Sequence, residues 1–423
     1  MTLTIIGTYL ISLWFIVTAA AYGITRNIAA PQLMFCAVLG FFFFDIFISE
    51  HSIYMYGTYV ISLLVVLLSC FFNTPIINKP YSGNTINYFD VPTIALWLAS
   101  IPAIISMLYM VAIFDGLASY LVAAKHGTKS FYGLGPLKSI ILTIYPISLY
   151  YFALLISQKR SYLQYLIYAV HLAILVSISL LSLSRGGLLS HFVFMVLIWH
   201  FARKRISPII ISGGLLLLLS IASIYGVVRE TVSLDEGALD LSIETHSSGQ
   251  IAKSEWMEFG TFPFESIINE SNTKKHWGST YVTAITNFIP RKIWPNKPDP
   301  GGVIFTNEYA PGIYDEYSHF TTGLYPEAMI NFGKELGIVI GTIQLFLMCV
   351  VLSIYYKKIV YNFDAVKSRT PKKMLSLVIY LYIVWASVMF LTGEFTSLVV
   401  ATIIKIVTAA LVYALSQIRL SKA

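Results

Sequence analysis

Long apolar runs separated by short polar links set the rhythm of this 423-residue chain. Eleven runs stand out, at about 3–22, 31–48, 52–72, 91–114, 136–157, 162–182, 187–202, 207–228, 328–356, 374–392 and 396–417. A helix needs roughly 20 apolar residues to cross a hydrocarbon core about 30 Å thick, and most of these runs reach that length. Lipid offers no partner to a backbone N–H or C=O, so each run is expected to satisfy its own backbone as a helix. The pattern predicts an all-α integral membrane protein with about eleven transmembrane helices and one large, partly helical extracytoplasmic loop. Residues 1–228 would hold eight spans, 229–327 the loop, and 328–423 three more spans, all within one integrated membrane domain.

Composition agrees with the pattern. Hydrophobic residues make up 57% of the chain, charged residues 12%, and the mean hydropathy is +0.74. A soluble domain carries about 25% charged residues. The net charge is +7, and the positive-inside bias gives much of it a place. If eleven spans alternate, Arg26, Lys79, Lys159, Arg160, Arg203, Lys204, Arg205, Lys357, Lys358, Lys367, Arg369, Lys372, Lys373, Arg419 and Lys422 fall on one side. That side is expected to be the cytoplasm, with the N-terminus periplasmic and the C-terminus cytoplasmic. The first run lacks a basic leader and a small-residue cleavage site, so it is expected to be retained as a span. Cys36, Cys70 and Cys349 lie in or beside apolar runs and are expected to behave as small hydrophobes, with no disulfide framework.

The same alternation places the 229–327 segment outside, together with the SRGG junction at 184–187 and the loop 115–135. A loop of this length is usually functional. Within it, FIPRKIWPNKPDPGG (288–302) joins four prolines to Arg291, Lys292, Lys297, Phe288 and Trp294. Proline fixes φ and disfavours helix at the preceding residue, which predicts a stiff surface segment. Phe288 and Trp294 suit the headgroup level. Arg291, with a planar fork that matches a phosphate or diphosphate, is a candidate anion ligand; closure of the loop over the bundle is the structural alternative. Arg185, at the junction of two apolar runs, either snorkels to the interface or binds an anion at the floor of an outer cavity. Arg229 and Lys297 are further candidate contacts.

The end of the loop, YDEYSHFTTGLYPEAMINFGKELG (314–337), holds His319, Tyr325, Glu327 and Asn331. A helix opening at Pro326 would put Glu327 in its first turn, where the dipole is expected to lower the carboxyl pKa, and Asn331 on the same face. His319 is a candidate base because its reference pKa lies near 6.5; Glu327 is the other, unless it serves only as a helix-cap residue. Lys405, inside the last run, is expected to find Asp45 or Asp115 as a structural partner, because Glu394 lies roughly 16 Å away along the helix. No GxxxxGK[ST], HExxH or CxxC motif is present, and no cytoplasmic loop is long enough for a nucleotide-sugar transferase domain.

IPRKIWPNKPDPGG followed by SHFTTGLYPEAMINFGKELG, with SLSRGG earlier, resembles the bacterial O-antigen polymerases, also called oligosaccharide repeat-unit polymerases, which are related to the O-antigen ligases. Arg291 and Gly302 match a spacing of arginine, ten residues and glycine found in some members; the same spacing from Arg229 ends at Asp240. The resemblance implies glycosyl transfer between repeat units carried on undecaprenyl diphosphate, at the periplasmic face of the inner membrane. It implies that Arg185 and Arg291, with Arg229 behind them, stabilise the departing diphosphate. Glu327 or His319 would orient or deprotonate the acceptor hydroxyl, and Lys297, Trp294, Tyr325 and Asn331 would contact substrate. The expected partners are the lipid-linked glycan, membrane lipid and a chain-length regulator protein, with no nucleic acid, no cofactor and no metal required. The alternatives are an O-antigen ligase acting on a lipid A-core acceptor, a flippase for the lipid-linked unit, and a membrane scaffold.

Overall fold

The computed structural model describes residues 2–73, 90–126, 129–131, 133–158, 160–182, 185–207, 210, 214, 232–235, 238–241, 259–271, 274–289, 291–311, 320–365 and 369–417. In chain order the helices are α1 (Thr2–Thr25), α2 (Pro31–Phe41), α3 (Ile53–Ser69), α4 (Thr93–Ile113), α5 (Leu117–His126), α6 (Gly135–Ile141), α7 (Ile144–Ile156), α8 (Tyr162–Leu181) and α9 (Arg185–Ala202). They continue as α10 (Phe262–Asn269), α11 (Ser279–Thr286), α12 (Gly301–Tyr309), α13 (Leu324–Phe332), α14 (Lys334–Val360), α15 (Pro371–Met389) and α16 (Phe395–Gln417). The strands among the described residues are β1 (Val232–Asp235) and β2 (Ala238–Leu241), antiparallel with Val232 opposite Leu241.

Eight helical segments among the described residues are long and apolar enough to cross a membrane: Ile5–Thr25, Ile53–Asn73, Thr93–Ile113, Gly135–Ile156, Tyr162–Leu181, Lys334–Phe363, Pro371–Met389 and Phe395–Gln417. Each coincides with a run anticipated from the pattern. Their outward faces carry bare apolar side chains, such as Phe15, Ile16, Leu98, Leu108, Val351 and Leu411. Such patches are a liability in water and cost nothing in hydrocarbon. The protein is a multi-pass, essentially all-α membrane protein.

The three remaining runs differ. The run 31–48 is not one helix. α2 has 11 residues, about 16 Å at 1.5 Å per residue, and a 3-10 turn over Phe44–Phe47 follows it. The break has a local cause. Consecutive aromatic side chains lose rotamer freedom in a helix, and Asp45 diverts to local bonding by accepting from Ser49. The open end of α2 is then closed by Gly260, which donates its N–H to the Phe42 carbonyl at 3.1 Å. The run 187–202 forms a helix shorter than the eight, and 207–228 lies almost wholly outside the described residues.

The chain forms two compact units. The first consists of Met1–Ile77, His246–Lys358 and Ile383–Thr402. Here α1, α2 and α3 pack on one another around Phe35, Leu39, Ile46, Met55, Tyr59 and Leu63. The part of the long loop in this unit holds the short helices α10, α11 and α12. α10 packs on α3, α12 and α13, and α13 also receives α11. Lys334 closes the C-terminal end of α10 by donating to the Ile268 carbonyl at 2.8 Å and to the Glu270 carbonyl. A lysine at a helix C-terminus satisfies orphan carbonyls and complements the dipole.

The second unit consists of Asn78–Thr245, Ile359–Tyr382 and Ile403–Ala423. α7 packs on α4, α8 and α9. Its buried polar side chains sit inside spans: His171 bonds Ser100 at 2.8 Å and His191 bonds Ser148 at 3.5 Å. Lys405 lies over the Tyr382 ring, 5.3 Å from its centroid. A cation–π contact is a reasonable lodging for an intramembrane lysine.

Candidate functional site

Two polar clusters occupy one end of the first unit, where the starts of α3, α14 and α16 meet the short loop helices. The first is enclosed. Glu327, in the first turn of α13, is fully buried. Its Oε2 accepts from Thr322 Oγ1 at 3.2 Å and from the Phe395 backbone N–H at 3.1 Å. Phe395 opens α16, so Glu327 caps another helix rather than its own. Glu394, the residue before Phe395, accepts from the Gly302 N–H at 3.1 Å and from Ser397 Oγ. Gly302 lies in the first turn of α12. Two carboxyl groups thus tie three helix starts together, at positions where orphan N–H groups and the helix dipole favour an acceptor with negative charge.

The adjacent glycines of PDPGG have a steric role in this arrangement. A Cβ on Gly301 would stand 2.9 Å from Glu327 Cδ and 3.1 Å from its Oε1, so only a bare backbone fits against the carboxyl. Gly323, at φ +83°, sits where a Cβ would meet the Leu391 carbonyl oxygen at 2.5 Å. Asn331 donates from Nδ2 to Thr280 Oγ1 at 2.6 Å and to the Glu327 carbonyl at 2.8 Å. The expected shared face of Glu327 and Asn331 is therefore real, but it is buried.

The expected pKa of Glu327 is corrected. Burial pushes it up to about 7, and the proximity of Glu394 adds to the rise; the bonds from Phe395, Thr280 and Thr322 oppose it. A dipole worth a few tenths to about 1 kcal/mol does not offset full removal of a carboxylate from water.

The second cluster is open. Asp45, Ser49, Glu50, His51, Ser52, Thr261, Phe262, Glu265 and Asn269 line a pocket of about 470 Å³. That volume lies in the range of about 300–1,000 Å³ typical of small-ligand sites. Glu265 projects from α10 and its Oε1 collects three contacts. Ser52 donates its N–H at 2.8 Å and its hydroxyl at 3.0 Å, and His51 Nδ1 stands 3.5 Å away. Ser52 is also the N-cap of α3, accepting from the Met55 N–H, so the start of a span holds the carboxylate in place. His51 is buried between two acids. Its Nε2 makes no hydrogen bond, although Asp45 Oδ2 lies 3.1 Å away. Asp45 in turn accepts from Ser49 and, at 3.4 Å, from Thr261. Asp45 is thus engaged within this cluster.

The charges shape one another. Burial pulls the His51 pKa down, but Glu265 and Asp45 override it and the net shift is upward. Burial pushes Glu265 up, but the bonds from His51 and Ser52 prevail and hold it below the usual carboxylate range. The two carboxylates thus favour the protonated form of His51.

The sequence-predicted residues distribute as follows. Arg291 is half exposed; its guanidinium pairs with Asp299 and donates to the Lys297 carbonyl at 3.1 Å. Lys297 is buried and donates to the Ile289 carbonyl at 3.2 Å. The described 291–299 stretch is therefore stapled to itself, and Trp294 sits partly exposed on it. Tyr325 is buried, its hydroxyl 2.7 Å from Ser62 Oγ on α3. Arg185 begins α9, and its side chain lies outside the described residues, as do Arg229 and His319. Sequence reasoning missed His51, Ser52 and Glu265, considered Asp45 only as a partner for Lys405, and set Glu394 aside as too far from that lysine. The available signal was SEHS (49–52), four polar residues in a row between apolar runs.

Among the described residues, no group of three His, Cys, Asp or Glu side chains is placed to hold a metal ion. No protein-family model, curated protein or solved structure matches the chain.

Proposed function

We propose that this protein polymerises oligosaccharide repeat units carried on a polyprenyl diphosphate, by glycosyl transfer at the extracytoplasmic face of the inner membrane. The observation that carries this reading is the convergence at one end of the first unit. The two segments with the family resemblance run into α12 and α13, both of which pack on α10, and α10 supplies Glu265 to an open, acid-lined pocket at the start of a membrane-long helix. A lipid-linked sugar reaches such a place with its chain in the membrane and its glycan in water. The acceptor hydroxyl attacks the anomeric carbon of the donor, and the diphosphate departs as an anion that needs cationic stabilisation. Arg291 supplies it by exchanging Asp299 for phosphate, an inexpensive exchange at a half-exposed pair.

The test is reconstitution. Purified protein in lipid nanodiscs is given lipid-linked repeat units extracted from cells lacking it, and the products are sized. A ladder of multiples supports the reading. Movement of the unit across vesicle membranes without a new glycosidic bond overturns it in favour of transport. In cells, loss of the gene should leave single repeats attached to the surface lipid; complete absence of attached repeats would indicate a ligase instead.

A further inference from the structure

We infer that the pocket at the start of α3 is the acceptor-saccharide subsite and that Glu265 is the group that takes the proton from the attacking hydroxyl. The inference rests on the polymerising reading above. Four observations carry it.

The pocket has the wrong charge for a diphosphate. Asp45, Glu50 and Glu265 face it with His51 as the one cation among its lining residues. An anion entering it would be repelled, so the pocket selects the sugar end of a substrate over its diphosphate end. The lining suits a saccharide: carboxylate oxygens accept from sugar hydroxyls, Asn269 offers an amide, and the part-buried Phe262 gives an apolar wall for the C–H face of a ring.

Glu265 is held like a working base. Its Oε1 is fixed by Ser52 N–H, Ser52 Oγ and His51, while no hydrogen bond from a described residue reaches Oε2. One oxygen anchors the group and the other is left for a ligand. His51 supplies the last observation: its side chain is only 7% exposed and stands between two acids, Nε2 3.1 Å from Asp45 Oδ2 and Nδ1 3.5 Å from Glu265 Oε1, so it fixes Glu265 from behind.

The step balances. The acceptor oxygen forms the new C–O bond at the donor's anomeric carbon. The bond from that carbon to the diphosphate oxygen breaks, and its electron pair leaves with the diphosphate. The hydroxyl proton passes to Glu265 Oε2. His51 does not touch the reacting atoms in this scheme; it is a positioning residue that keeps Glu265 ionised and oriented.

The experiment uses full-length protein in nanodiscs with the extracted lipid-linked repeat units as probe. Wild-type protein is expected to make the ladder, and Glu265→Gln to lose it by at least 100-fold while still giving a cooperative melting transition. Glu265→Asp should recover part of the rate. For wild type, the rate should fall on the acid side only below the ordinary carboxylate range. His51→Gln should move that acid limb to higher pH, because the carboxylate loses its cationic neighbour; a purely structural His51 would lower the rate without moving the limb. If wild type makes no ladder, the polymerising reading fails. If wild type makes it and Glu265→Gln matches it, or His51→Gln leaves the limb in place, the assignment fails while the polymerising reading stands.

Discussion

Two glutamates at the same end of the first unit show how placement alone sets a carboxyl group's character. Glu265 and Glu327 both lie on short loop helices, and each accepts a backbone N–H from the start of a membrane helix. Glu265 is part-exposed beside His51 and Ser52, and its pKa is held down. Glu327 is sealed beneath Gly301 with a second carboxyl nearby, and its pKa is pushed up to about 7. Donors and a nearby cation win in the open pocket, and desolvation wins in the closed one. The open group can reach a substrate. The closed one holds helices.

This contrast can be broken by substitution, and the largest expected effect is on activity at the open site, the 100-fold loss for Glu265→Gln given above. Next comes Glu327→Ala. It leaves the Phe395 N–H and Thr322 hydroxyl without their buried acceptor and opens a void, for an expected loss of about 2–4 kcal/mol of stability. Thermal unfolding in detergent would register it, and a melting curve identical to wild type would remove the capping role. Gly301→Ala should follow at about 1–3 kcal/mol, since its Cβ presses on the Glu327 carboxyl. An unshifted melting temperature there would mean that the carboxyl moves aside freely.

Protonation sharpens the comparison further. Glu327 has its folded pKa raised from 4.5 to about 7, so its contribution to stability is fully present below pH 4.5 and is lost as pH rises through 7. Glu327→Gln should remove this dependence, so the gap between the two melting curves should open between about pH 4.5 and pH 7. Glu265 has a lowered folded pKa, so its contribution is present above about 4.5 and is lost as pH falls further. His51 contributes fully below about 6.5 and loses its contribution as pH rises through its raised folded value. The smallest expected stability effect is that of Arg291→Ala. A half-exposed pair is worth about 0–1 kcal/mol, so loss of polymer with an unchanged melting curve would place Arg291 on the substrate. Full-length polymer would leave it as the staple of its own loop.

The eight spans were legible because the lipid requirement is local: a run of apolar residues near 20 long has one way to pair its backbone in hydrocarbon. The failure at 31–48 was also partly local, since FFFFDIF places Asp45 and clustered aromatics within a run that hydropathy alone reads as continuous. Glu327 and Asn331 were correctly put on one helix face, but whether that face meets solvent or protein depends on Phe395 and Gly301. These come from parts of the chain that no periodicity connects to it. The SEHS link was visible and its meaning was not, because Glu265 lies more than two hundred positions away.

The sequence by itself determined the membrane class, most of the spans and the stiffness of the proline-rich segment. Each follows from interactions within one stretch of chain, such as backbone pairing in lipid or a fixed proline φ. Only the tertiary structure decided which acids are open and which are sealed, that Arg291 is bonded to Asp299, and that His51 stands between two carboxylates. Those outcomes depend on solvent access and on charges brought together from distant segments, and electrostatic energies at a few ångströms are set by position rather than by order along the chain.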